Sequence, residues 1–383
     1  MDGVLTVNAG SSSVKYALFA SDAALAAPLL TGQVQGLGSG PAGPTHAAAF
    51  DEVLARVAAA GSGLRVVAVG HRVVHGGAAF GEPTLIDEAL LEALRLLAPL
   101  APLHQPHNLS GIRAAQQAFP GVPQVACFDT AFHRSQPAVH QCFALPQRWH
   151  DAGVRRYGFH GLSFESIVDQ LAASEPALLQ GRVVVAHLGN GASMCALAGG
   201  RSVATTMSFS PLDGMTMGTR CGRLDAAVVL HLLQHHGLDA DAVAHLLYRE
   251  SGLLGLSGLS PDMRTLMASD SPSAALAIDH FVESAASELA GMAAALRGLD
   301  ALVFTGGIGE NAAPLRQRIT DAAAWLGLRL DKDANWAGAR CISSVASPVQ
   351  VRVLRTDEES VIARHALRCA AAVAAGLVPC SRA

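Results

Sequence analysis

Short apolar runs broken by glycine- and serine-rich turns recur along the chain, and each predicts a buried strand. Val4-Leu5-Thr6-Val7 reads as a strand, Asn8-Ala9-Gly10-Ser11-Ser12-Ser13 as a tight turn, and Val14–Phe19 as the returning strand. Residues 183–197 repeat the design: an apolar strand, the turn Gly189-Asn190-Gly191-Ala192-Ser193, then an apolar return. Val66–Val69 predicts a strand that runs into His71-Arg72-Val73-Val74-His75-Gly76-Gly77. Val122–Asp129 predicts another, ending in Cys127-Phe128-Asp129-Thr130, and Val349–Leu354 predicts the last, meeting Thr356-Asp357-Glu358-Glu359. Helical spacing takes over at Phe50–Ala60, at Asp87–Leu97 with Leu90, Leu91, Leu94 and Leu97 on one face, at Ser273–Leu296, and from about Ser360. Pro99 and Pro102 break the second helix, and Leu103-His104-Gln105-Pro106-His107 reads as irregular backbone. Gly36–Pro44 reads as a loop, and residues 132–156 as a linker. A third glycine turn, Val303 to Asn311, leaves a strand and enters a helical stretch starting near Ala312.

Strands interleaved with helices argue for an α/β architecture. Two similar strand–turn–strand units imply a duplicated domain with a nucleotide held between the halves. None of the turns is a GxGxxG fingerprint, and no GxxxxGK[ST] occurs, so neither a dinucleotide fold nor a Walker-type loop is supported. Half of the 383 residues are apolar and 15% are charged, which allows a large core. The net charge of −4 gives no footprint for nucleic acid. The 7 cysteines lack metal or framework spacing, the N-terminus shows no leader pattern, and no apolar stretch suits a bilayer. A soluble cytoplasmic protein is expected.

Charge chemistry sharpens the first turn. Lysine occurs only as Lys15 and Lys332, while arginine is used elsewhere. A lysine kept at the end of a glycine/serine turn suggests a compact, mobile ammonium beside phosphate oxygens, which Ser11 and Ser13 could also approach. An ordinary hairpin with a surface lysine is the other reading. The His71/His75 and His231/His235 pairs have i,i+4 spacing, but no HExxH or nearby acid supports zinc.

Taken together, VNAGSSSVKY, GHRVVHGG, PLHQPHN, CFDTAFH, RRYGFHGLS, AHLGNGAS, SFSPLDGMTMGTRCG, SPDMR, FTGGIGEN and TDEE resemble the acetate kinases and their short-chain carboxylate kinase relatives. These motifs run in the family's order from residue 7 to 359. The resemblance implies duplicated ribonuclease-H-like domains of the actin/sugar-kinase ATPase fold with an interdomain cleft. It places the first domain at 1–132 plus 361–383 and the second at 133–360. It implies reversible, in-line transfer of the ATP γ-phosphoryl to acetate, with propionate or another short acid as the alternative. It also implies Mg²⁺ or Mn²⁺, ATP and ADP as co-substrates, and a homodimer formed through the second half, with no nucleic-acid or membrane partner.

By the same resemblance Arg72 holds the acyl carboxylate, Arg220 stabilises the transferring phosphoryl group, and His160 donates to an oxygen of the transition state. A structural arginine at a domain edge is the plain alternative for either arginine. Asp129 in a sugar kinase would be a base. An acid substrate is already ionised, with carboxyl pKa values near about 4, so Asp129 is expected to order an arginine or Mg²⁺; capping a helical turn is its other reading. Asn8 and Glu358 are the metal candidates, though an acidic triplet also suits a helix N-terminus. For the nucleotide the resemblance assigns Lys15, then His187, Leu188, Gly189, Asn190 and Gly191, then Asp262, Met263 and Arg264, and finally Gly306, Gly307, Ile308, Gly309 and Glu310. Val74, Leu103, Phe159 and Pro211 occupy the acyl pocket, and His104 lines the cleft.

Cys221, Arg223, Ala226 and Gln105 depart from the family pattern, and Arg223 suggests an extra cation close to Arg220. A hydroxyl-directed sugar kinase would not need so many cations. A non-catalytic actin-like ATP switch would keep Lys15 and the glycine turns without needing Arg72 or Asp129.

Overall fold

The computed structural model describes residues 1–10, 13–21, 27–35, 37, 45–59, 63–102 and 104–376. The chain divides into two compact units, one of residues 1–134, 161–166 and 357 onward, the other of 135–160 and 167–356. Ser11, Leu103 and the expected loop Gly36–Pro44 lie outside the described residues, save Leu37.

The first unit carries β1 (Asp2–Ala9), β2 (Ser13–Ala20), β3 (Leu30–Gln35), β4 (Arg65–Val73), β5 (Thr84–Leu85) and β6 (Gln124–Phe128) in the order β3-β2-β1-β4-β6-β5. β1, β2 and β3 pair antiparallel; β4 and β6 then add in parallel. Successive β1 side chains take opposite faces. Leu5 and Val7 join Leu18, Phe50, Val53 and Phe119 on one side. Val4 joins Phe19, Val125, Val361, Ile362 and Ala366 on the other. Both faces are covered, so the strand reads as a continuous apolar run and not as an alternating one. The helix Glu358–Ala374 lies so near β4 that a Cβ on Gly70 would stand 2.5 Å from Ile362 Cγ2.

The second unit repeats the plan. β7 (Arg182–Leu188), β8 (Ala192–Ala198) and β9 (Arg201–Thr205) pair antiparallel, and β10 (Ala301–Thr305) and β11 (Gln350–Val353) add in parallel to give β9-β8-β7-β10-β11. Apart from the short β5, strand order and direction match the first sheet, which is the duplication that the two strand–turn–strand units predict. β10 is fully buried, and the helix Pro272–Leu296 buries an Ala/Leu/Phe stripe.

Two local expectations change. Residues 105–107 are not irregular: Gln105–Ala118 is a helix, with Pro106 in the first turn, where its missing N–H costs no intrahelical bond. The third glycine turn is itself the helix Gly306–Asn311, so helix begins at the glycines and not near Ala312. Gly306 has φ +77°, and a Cβ there would meet Leu188 O at 2.8 Å.

Candidate active site

In the first unit the ends of β4 and β6 bring a guanidinium onto a buried carboxylate. Arg72 Nε donates to Asp129 Oδ1 at 2.9 Å and Nη2 to Oδ2 at 2.6 Å, a two-pronged pair. Glu358, in the first turn of its helix, puts Oε2 3.7 Å from Arg72 Nε. Burial pushes the Glu358 carboxyl up; Arg72 opposes this, Asp129 and Glu359 add to it, and Lys15 opposes it. The Arg72 guanidinium loses hydration, yet Asp129 and Glu358 hold it firmly charged. Asp129 also accepts from Gly161 N through its carbonyl, at 2.9 Å. Asp357 caps the Glu358 helix by accepting from Ser360 N at 3.0 Å.

Asn8 and Lys15 face each other across the β1–β2 hairpin, with Lys15 exposed, and Gly10 N closes the turn on Ser13 O at 2.9 Å. Val74 is buried and donates its N–H to Asn108 Oδ1 at 3.0 Å. Asn108 Nδ2 donates to Ala9 O at 2.8 Å, so one side chain ties the exits of β1 and β4 together. Gln105, a family departure, is buried and donates to His75 O at 3.1 Å. Asn108 was not singled out in the sequence; its place three residues after Gln105, on the same helical turn, is the signal that finds it. Burial lowers the pKa of His71 and of His75 to about 4, so both are neutral core imidazoles at ordinary pH. His71 Nε2 lies 2.7 Å from Gln124 Oε1.

In the second unit His160, His187 and Arg220 gather at the β7–β8 turn. His160 and His187 stack at 4.5 Å, and His160 Nδ1 lies 2.9 Å from Ser193 Oγ. A Cβ on Gly191 would lie 2.6 Å from Arg220 Nη2 and 3.4 Å from His160 Nε2, so both groups stand at this turn and a side chain here would displace the Arg220 guanidinium. Arg220 Nη1 donates to Pro211 O at 2.5 Å, and both Pro211 and Phe159 are buried. His160 has φ 58°, a left-handed conformation that costs a non-glycine residue roughly 1–2 kcal/mol. Arg223 directs its charge to a buried carboxylate of the second unit. Its Nη2 sits 2.6 Å from Glu288 Oε1 of the Pro272–Leu296 helix, so the extra cation expected close to Arg220 is paired with a protein carboxylate.

The same unit holds a cavity of about 880 Å³ lined by Gly189, Asn190, Asp262, Met263, Arg264, Gly307 and Ile308, with Met267, Asn311 and Pro314 among its walls. Three separate glycine- or Asp-containing motifs therefore meet at one cavity. Arg264 pairs with Asp262 at 2.6 Å and is largely exposed. Glu310 serves the frame: its Oε1 accepts from Gly306 N at 3.0 Å and from Thr356 N at 3.1 Å. Arg316, fully buried, donates Nη1 to Gly309 O and Glu310 O at 2.9 Å each, and Nε to Asn335 Oδ1 at 2.8 Å. It ties down the end of the Gly306–Asn311 helix, and nothing in its local sequence pattern marks it.

Among the described residues no group of three or more His, Cys, Asp or Glu side chains could hold a metal ion. The Glu358 carboxyl, raised by burial and crowded by Asp129, would be relieved by a divalent cation beside it.

A family model described as the acetokinase family matches residues 3–364. An acetate kinase of Methylocella silvestris is 50% identical, with 95% of this chain and 97% of that protein covered. An acetate kinase of Rhodopseudomonas palustris is 49% identical over 96% of this chain and 98% of that protein. Among solved structures, a propionate kinase from Francisella tularensis superposes with a TM-score of 0.89 at 36% identity, covering 96% of this chain and all of that one. The acetate kinase of Porphyromonas gingivalis gives 0.84 at 34% identity, over 96% and 99% of the two chains.

Proposed function

The chain belongs to the acetokinase family, and from that membership we propose that it transfers the γ-phosphoryl group of ATP, reversibly, to acetate. The observation that carries this reading at the site is the glycine turn at which Arg220 and His160 converge, since one cation and one imidazole are thereby aimed at the same small space. Phosphoryl transfer asks for positioning and charge neutralisation more than for covalent help.

A carboxylate oxygen of acetate attacks the γ-phosphorus in line. The new O–P bond forms as the bond to the β,γ-bridging oxygen breaks, and the electron pair leaves with ADP. No base is required, because the nucleophile is already ionised. Asp129 instead fixes Arg72, using Nε and Nη2 and leaving the Nη1 edge to meet the substrate carboxylate. Arg220 and the Nε2 of His160 take charge from the phosphoryl oxygens as it spreads over them. Gly189–Gly191, Gly306–Gly309 and Asp262–Arg264 hold the nucleotide at the 880 Å³ cavity, the Lys15 ammonium neutralises phosphate, and the Ser13 hydroxyl donates a hydrogen bond to it. Glu358 and Asn8 are the residues that would hold Mg²⁺, which supplies neutralisation of β- and γ-oxygens when bound.

Propionate is the second reading, because the F. tularensis relative that superposes so well is named for it. Val74 is buried in the first unit and Phe159 and Pro211 in the second, and an apolar pocket discriminates one methylene by only about 1–3 kcal/mol. We further propose a cytoplasmic homodimer. No helix among the described residues is long and apolar enough to cross a membrane.

Hydroxylamine trapping with ATP·Mg²⁺ and acetate, propionate, butyrate or glycerol tests the reading. Acyl hydroxamate is expected with the short acids and not with glycerol, and is lost in Arg72→Ala and Arg220→Ala. No hydroxamate with any acid, despite tight ATP binding, would overturn it in favour of a hydroxyl kinase or an ATP switch.

A further inference from the structure

Ser193 lies on β8 opposite His187, and it is wholly buried. Its Oγ stands 2.9 Å from Nδ1 of His160. The opposite edge of that ring faces the turn, where Nε2 would lie 3.4 Å from a Cβ on Gly191, with Arg220 Nη2 beside it. The two ring nitrogens therefore have divided surroundings: Nδ1 meets a fixed protein hydroxyl, and Nε2 meets the space assigned to the phosphoryl group.

A neutral imidazole donates from one nitrogen and accepts at the other, and the partner of one nitrogen decides which is which. For Nε2 to donate to a phosphoryl oxygen, it must carry the proton and Nδ1 must accept. A buried hydroxyl at Nδ1 enforces that tautomer by donating to it. We propose that Ser193 is a positioning residue for the transfer: its hydroxyl donates to His160 Nδ1, which keeps the proton on Nε2 and holds the ring against His187. No proton is exchanged in the step; the hydrogen bond from Nε2 only strengthens as charge moves onto the phosphoryl oxygens. Ser193 touches neither acetate nor nucleotide, and acts through His160. This inference rests on the acyl-kinase reading above.

The test joins kinetics to a direct view of the tautomer. Protein labelled with ¹⁵N-histidine is compared as wild type, Ser193→Ala and Ser193→Thr, with His160→Gln used to assign the His160 resonances. In the wild type the proton is expected on Nε2, with Nδ1 showing the shift of an acceptor. Ser193→Ala is expected to give a mixture of tautomers and to lower kcat by about 10-fold, the lower end of what losing the outer partner of a working imidazole costs, with KM for acetate and ATP nearly unchanged. Ser193→Thr keeps the hydroxyl, and is expected to keep the tautomer and recover most of kcat. A wild-type ring protonated on Nδ1, or a Ser193→Ala enzyme with wild-type kcat, overturns the proposal. The wild-type spectrum alone decides the tautomer if a variant fails to fold. If the wild type makes no hydroxamate, it is the functional reading that fails, while the spectrum still reports on the Ser193–His160 bond.

Discussion

Gly191 is a residue whose lack of a side chain does the work. Its backbone lies where a methyl group would press on Arg220 Nη2 at 2.6 Å, yet keep an ordinary 3.4 Å distance from His160. The group that must yield is the far end of a flexible arginine, so the fold should tolerate alanine while the guanidinium is displaced. Gly191→Ala is therefore expected to leave the melting temperature nearly unchanged and to lower kcat by about 100-fold, the scale of losing one transition-state donor. Steady-state kinetics beside a thermal melt check this. A variant with wild-type kcat would mean that Arg220 does its work from a position clear of the turn. The glycine itself was legible in the sequence, because a strand–turn–strand run with two glycines can be read locally. The reason for it was not, since Arg220 lies 29 positions further along the chain and no spacing rule connects the two.

Elements show the same division between local and distant causes. Four strands of each sheet could be read from apolar runs, because strands covered on both faces carry an uninterrupted apolar signal; β3 and β9, whose burial is interrupted, could not. The Gln105–Ala118 helix could not, since Pro102 and Pro106 look like breakers unless the helix start is known to fall between them. The loop that carries Arg220 is a harder case. Asp213 accepts from Gly214 N at 2.9 Å and from Ser208 Oγ at 2.5 Å, Arg223 N donates to Gly214 O at 2.8 Å, and the Arg223 side chain reaches Glu288. Arg223 thus fastens the loop to a long helix. Burial raises the Glu288 carboxyl, and Arg223 pulls it back down, with Asp213 raising it and Arg156 lowering it further. A folded carboxyl with a raised pKa binds a proton that the unfolded one has already released. Stability therefore falls as pH rises from the ordinary carboxylate range through the raised value. Arg223→Ala removes the main opposing charge, so it is expected to deepen that fall and to cost about 1 kcal/mol at pH 7.5, between the worth of an exposed pair and a buried one. Adding Glu288→Gln should return most of the loss and flatten the pH dependence. Urea melts at pH 5 and pH 7.5 measure both effects. The ranking of acetate over longer acids should not move in either variant; a changed ranking would return Arg223 to the acyl site.

At the scale of the whole molecule one helix is left unexplained by its own unit. Ala226–His235 is strongly apolar yet buries none of its side chains; Val228 is 40% and Leu230 53% exposed, with Leu224 at 39% beside them. Val229, Leu232 and Leu233 are half-covered on one face; single exposed apolar residues are ordinary, but a helix that carries several and buries none fully has an incomplete environment. A second copy of the chain is the occupant that the proposed homodimer supplies, and a two-fold interface lets the same patch complete itself. The histidines at its end add to the case for a solvated rim, since His231 and His236 place their Nε2 atoms 3.2 Å apart and remain exposed. Sedimentation equilibrium is expected to give twice the 39.4 kDa chain mass. Leu230→Asp puts a charge in the centre of the patch, which a dimer must desolvate and a monomer need not. It is expected to shift the equilibrium to monomer at micromolar concentration without changing the far-ultraviolet circular dichroism. A Leu230→Asp protein that remains dimeric would place the interface elsewhere. A wild type that sediments at the chain mass would remove the dimer altogether, and would leave this helix as a surface for a different partner.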